Sequence, residues 1–134
     1  MSSDRFVFYN PHPDGKFVED CVKRAFTKAT GRDYHDVQIE LNRIKREMHA
    51  KKFNDDSVWR EFLSRNGFVM KSFPAVPGQK RMTVEKLASI SKCDDVWVCR
   101  CAGHLVCVAN GRYYDTWDSG DKCVYTAFKK LANT

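Results

Sequence analysis

The dipeptide Asn110-Gly111 constrains this chain more than any other feature in it. It separates two runs rich in Val, Cys and Tyr, His104–Ala109 and Arg112–Trp117, that read as strands. A two-residue hairpin turn needs positive φ at both central positions, which Asn and Gly tolerate best. That turn length sets the register: Ala109 pairs with Arg112, Val108 with Tyr113, Val106 with Asp115, and His104 lies opposite Trp117. Residues two apart share a face, so His104, Val106, Asp115 and Trp117 project to one side. Asp115 is then a diagonal neighbour of His104, about 7–8 Å away between backbones and within side-chain reach. Asp118 pairs with Gly103 and points the other way.

The rest of the chain arranges itself around this hairpin. Val96–Cys101 is a further strand. Arg5–Tyr9 suits a strand or an extended arm, and Asn10–Lys16 is a turn-rich loop with two prolines and a glycine. Val18–Thr30 has helical spacing in Val18, Val22, Ala25, Phe26 and Ala29, with Gly31 as its stop. Asp33–Lys51 carries the stripe Tyr34, Val37, Leu41, Ile44 and Met48. Ser57–Arg65 is a short third helix, and Phe68–Phe73 a strand. Pro74–Arg81 is an exposed loop, and Thr83 caps a helix reaching Ser91. Val124–Leu131 is amphipathic and fits either helix or strand. Helices come first and an antiparallel sheet second, so the expected class is α+β. The 134 residues form one domain, 1–134.

No run is apolar and long enough to cross a membrane, and no apolar segment follows Met1 as a secretory signal requires. The cytoplasm is the expected location. Six cysteines in a chain with 43% hydrophobic residues do not read as a disulfide scaffold. Five of them, from Cys93 to Cys123, read as small buried hydrophobes.

Cys21 stands apart. It lies in the first turn of its helix, where unpaired N–H groups and the helix dipole favour thiolate. On a helical wheel it sits about 40° outside the apolar stripe. Taken alone, Cys21 has a plainer reading as a packing residue, and His104 as a structural or exposed one. The hairpin register brings His104 an aspartate, and a cysteine with an oriented histidine is what nucleophilic catalysis uses. In that chemistry His104 takes the thiol proton, the thiolate attacks a carbonyl, and Asp115 fixes the imidazole. The oxyanion is met by the Cys21 N–H and a donor from the preceding loop, with Asn10 the candidate.

The segments carrying these residues resemble a known family. Asp20-Cys21-Val22-Lys23-Arg24-Ala25, followed by Ala29-Thr30-Gly31-Arg32-Asp33-Tyr34, is similar to the opening of small papain-like proteins of phages, prophages and bacteria. Gly103-His104, followed by Asn110-Gly111-Arg112-Tyr113-Tyr114-Asp115-Thr116-Trp117-Asp118, is similar to their ending. The resemblance implies a papain-like (cysteine-proteinase) fold, with N-terminal helices packed on a C-terminal antiparallel sheet. It implies a cysteine peptidase, isopeptidase or amidase acting through a thioacyl-enzyme, without cofactor, on a peptide or protein. A phage-encoded member meets a host protein in the host cytoplasm. The glutamine that such proteins carry just before the nucleophile has no counterpart between Lys16 and Asp20.

Two other classes compete. Cys99, Cys101 and His104 are ligand-type residues at short range, but neither CxxC nor HxxxH spacing occurs, so no metal site is expected. Twenty-three basic against 17 acidic residues give a net charge of +6, and Arg43, Lys45, Arg46, His49, Lys51 and Lys52 form a basic helix face. Nucleic-acid binding is compatible with this face but not favoured, since charge on one helix face usually meets only solvent. The alternative to catalysis is an inactive papain-like fold used to bind protein or nucleic acid.

Overall fold

The computed structural model describes residues 4–131. Among them, β1 (Phe6–Phe8) precedes three helices, α1 (Cys21–Thr30), α2 (Tyr34–Glu47) and α3 (Asp56–Arg65). Then follow β2 (Phe68–Ser72), α4 (Val84–Ile90), β3 (Val96–Cys101), β4 (His104–Ala109), β5 (Arg112–Asp115) and β6 (Thr126–Lys130). The protein is α+β, with helices packed on a six-stranded sheet of order β1-β5-β4-β3-β6-β2. No helix of the described residues is long and apolar enough to cross a membrane.

The hairpin has the expected register, with Ala109 opposite Arg112 and Val108 opposite Tyr113. Asn110 and Gly111 both take positive φ, 54° and 71°. The sheet is mixed, however, and not purely antiparallel. β1 runs parallel to β5 with Phe8 opposite Asp115, and the Tyr9 N–H donates to the Asp115 carbonyl (2.8 Å). The ambiguous C-terminal segment is the strand β6, inserted between β3 and β2.

Both faces of the central strands are covered, which explains why β4 is a continuous apolar run. Leu105, Cys107 and Ala109 join Val22, Ala25, Phe26, Leu41, Trp59 and Phe62 on the α1–α3 side. Val106 and Val108 join Trp97, Tyr113, Val84 and Leu87 on the α4 side. Of the five cysteines expected to be buried, Cys99, Cys101 and Cys107 are; Cys93 is exposed and Cys123 half-buried. All six are unbridged.

Two helix boundaries differ from expectation. α1 begins at Cys21, not Val18, because Asp20 adopts φ −125° and ψ 30° and its N–H turns back to the Val18 carbonyl. Val18 is left about half exposed (48%) and outside the stripe. α2 ends at Glu47, not Lys51, and Met48 is exposed instead of completing the stripe. His49 takes positive φ there, and the reversed chain returns Phe53 to the core edge.

Candidate active site

The N-terminus of α1 meets the end of the β4–β5 hairpin. Cys21 is the first helical residue. The first bond of the α1 ladder runs from the Arg24 N–H to the Asp20 carbonyl, so the N–H groups of Cys21, Val22 and Lys23 precede it. The Asp20 side chain makes no cap bond to them. His104 opens β4 and Asp115 closes β5, so the structure brings Cys21, His104 and Asp115 together.

Asp115 is fully enclosed, and its four acceptor positions are taken. Its Oδ2 lies 2.6 Å from His104 Nε2 and accepts from the Ser119 hydroxyl at 2.7 Å. Its Oδ1 accepts from Arg24 Nη2 at 3.0 Å and from the Thr116 N–H at 2.8 Å. These last bonds explain why β5 stops at Asp115 and not at Trp117: the chain folds back over the carboxylate. Burial pushes the Asp115 carboxyl up, but His104, Ser119 and Arg24 outweigh it and hold the group below its usual range. The loop turns tightly at Gly120, where an added Cβ would fall 2.3 Å from the Tyr113 hydroxyl. Asp118, the aspartate set aside on register, accepts from the Tyr113 hydroxyl at 2.5 Å and from the Gly120 N–H at 3.0 Å.

With Nε2 committed to Asp115, Nδ1 is the imidazole nitrogen left for Cys21, which borders the same groove. Burial lowers the His104 pKa, but bonds to Asp115 and Cys21 and their negative charges raise it to about 9. For Cys21, burial raises the thiol. The His104 bond, the Leu105 backbone N–H and the charges of His104 and Arg24 prevail and bring it below its usual value. Both shifts favour a thiolate–imidazolium pair. Cys101 and Cys107 are pushed the other way by burial, each to about 12, and Cys99 is likewise raised.

Three polar residues extend the site inward, and sequence reasoning assigned none of them a role. Arg24, 5% exposed, donates to Asp20 Oδ1 at 2.7 Å as well as to Asp115. The Tyr34 hydroxyl donates to Asp20 Oδ2 at 2.8 Å. Burial and the Asp20 bond raise the Tyr34 pKa, keeping the phenol protonated as a donor. Charge alternates from Asp20 to Arg24, Asp115, His104 and Cys21. Their presence in the two quoted motifs was the available signal.

Asn10 is not part of this arrangement. Its amide donates to the Gly15 and Lys16 carbonyls (3.2 and 3.1 Å), and its oxygen accepts from the His12 N–H. It clamps its own loop and does not line the groove at Cys21.

That groove has two lobes. One, of about 380 Å³, is walled by Val18, Glu19, Thr116 and Trp117. The Trp117 ring lies against His104, centroids 5.0 Å apart. The other, of about 190 Å³, is walled by Trp59, Arg100 and Leu105. Cys21, Asn54, Gly103 and His104 border both, so the lobes meet at the thiol–imidazole pair.

Comparison with family models, curated proteins and solved structures returned no match. The site therefore stands on its geometry. Among the described residues no three His, Cys, Asp or Glu side chains converge as metal ligands, and Cys99 and Cys101 lie in the apolar layer under α4.

Proposed function

We propose that this protein is a papain-like, cysteine-dependent acyl hydrolase or acyl transferase. Cys21 is its nucleophile, His104 its general base and acid, and Asp115 the orienter of the imidazole. The observation that carries the reading is the 2.6 Å contact of His104 with a buried, four-fold bonded carboxylate, at the junction of the two groove lobes that Cys21 also borders. The papain-like assignment rests on a nucleophile opening a helix packed on strands that bear histidine and then aspartate.

The substrate is an amide, isopeptide or thioester within a peptide or protein. A groove whose lobes extend to both sides of the reacting pair suits a scissile bond with chain on either side. The thiolate attacks the carbonyl, His104 protonates the leaving group, and a water activated by the neutral imidazole releases the acyl group.

The test is turnover of 4-nitrophenyl acetate, followed by intact-protein mass spectrometry of the acid-quenched enzyme. An acetyl group on Cys21, with release of nitrophenol lost in both Cys21→Ala and His104→Ala, is the expected result. Acetylation scattered over lysines and unchanged in both variants would remove the catalytic reading and leave the binding-module alternative.

A further inference from the structure

We infer that Asn54 supplies the side-chain donor of the oxyanion site, the position left open by the missing glutamine and by Asn10. The inference rests on the acyl-transfer reading above and concerns the same groove.

An oxyanion donor has to sit where the nucleophile meets the carbonyl, which here is the junction of the two lobes. Four residues border both lobes, and among Cys21, Asn54, Gly103 and His104 only Asn54 carries a side-chain amide. The other donors along the groove are placed or engaged differently. Arg24 is bound to Asp20 and Asp115. Arg100 reaches only the smaller lobe and donates to Asp56 and the Cys101 carbonyl. Thr116 borders only the larger lobe. The Asn54 amide is exposed and has no hydrogen-bond partner among the described residues.

Its backbone is held on both sides, as a preorganised donor requires. Phe53 packs against the core, with Lys23 Nζ 4.6 Å above its ring, which ties the loop to α1. The Asp55 carbonyl accepts from the Val58 and Trp59 N–H groups (2.9 and 3.1 Å), which ties it to α3. Asn54 is thus set between two helices, one of which carries the nucleophile.

In the reaction the Cys21 thiolate bonds to the carbonyl carbon, and the carbonyl π pair moves onto oxygen. The Asn54 Nδ2–H and the Cys21 N–H donate to that oxyanion. The pair then returns to carbon as the bond to the leaving group breaks. An amine leaving group takes its proton from the His104 imidazolium; a nitrophenolate needs none.

Acylation by 4-nitrophenyl acetate passes through an oxyanion, whereas alkylation by iodoacetamide displaces iodide and forms none. Both rates are to be measured at Cys21 for the wild type, Asn54→Ala and Asn54→Asp. Asn54→Ala is expected to slow acylation about 10²-fold with alkylation unchanged. Asn54→Asp, which sets a carboxylate against the forming oxyanion, is expected to lose at least as much. Acylation of Asn54→Ala at the wild-type rate overturns the assignment, as does a parallel fall of both reactions, which would place Asn54 on the thiolate. A wild type that alkylates fast but is not acylated sinks the acyl-transfer reading itself, so the two failures are distinguishable.

Discussion

Arg24 sits where a surface salt bridge would ordinarily be read. Its spacing from Asp20 is that of a solvated helical pair, worth a few tenths of a kcal/mol. Burial changes that weight, because Arg24 holds two enclosed carboxylates at once, one of them the partner of His104. Removing one member of a buried pair typically costs about 3–5 kcal/mol. Arg24→Gln is expected to destabilise the protein on that scale in urea unfolding. Arg24→Lys, which cannot fork to both carboxylates, is expected to fold but to lower the alkaline limb of the activity profile, because Asp115 is less firmly held against His104. The aspartates give a second contrast at this scale. Asp115→Ala should remove most activity, while Asp118→Ala, which gives up bonds from Tyr113 and Gly120 away from the His104 ring, should keep it. The reverse ranking in kcat/KM would mean that His104 is oriented by something other than its 2.6 Å contact.

At the scale of elements, the local signals were legible where they were complete within a few residues. Asn110-Gly111 set the β4–β5 register, and with it the choice of Asp115 over Asp118. Thr83 caps α4 as expected, its hydroxyl accepting from the Lys86 N–H. Long-range pairing leaves no such mark. Nothing in Phe6-Val7-Phe8 encodes a parallel partner more than a hundred positions away, so the pairing that fixes the Asp115 backbone went unread although the strand itself was expected. The motif residues Asp20, Arg24 and Tyr34 were visible, but their joint role depends on α1 packing on the hairpin and α2 on α1. Asn54 lies in a charged loop without periodicity, and only the docking of Phe53 on α1 distinguishes it. One test belongs here. Gly111→Ala puts a Cβ at φ +71°, about 3.5 Å from the Arg5 guanidinium. A loss of about 1–2 kcal/mol in urea, with the active-site register kept, is expected. Unchanged stability would show that the turn is not under this constraint.

For the whole molecule, the Cys21–His104 pair shapes how stability depends on pH. His104 is raised from 6.5 to about 9, so alone it contributes stability that is complete below 6.5 and lost as pH rises through about 9. Cys21 is lowered from 9.0, so alone it contributes stability present above 9.0 and lost as pH falls through its folded value. In the intervening range the folded pair holds its proton on nitrogen and the unfolded chain holds one on sulfur. The two effects cancel, and wild-type stability is expected to be nearly level there. Cys21→Ala leaves His104 raised by Asp115 alone. Its stability should fall with pH above 6.5, at a slope approaching about 1.4 kcal/mol per pH unit. Parallel curves for the two proteins in urea titrations would contradict a charged pair.

The most direct test of that pair is iodoacetamide labelling of all six cysteines against pH, with each adduct located by mass spectrometry. Cys21 should label fast below the pH at which an ordinary thiol ionises, with Cys99, Cys101 and Cys107 protected by burial and raised thiols. That early reactivity should vanish in His104→Ala. Slow labelling of Cys21, with the pH dependence of an ordinary thiol and no response to His104→Ala, would contradict an activated nucleophile at the head of α1.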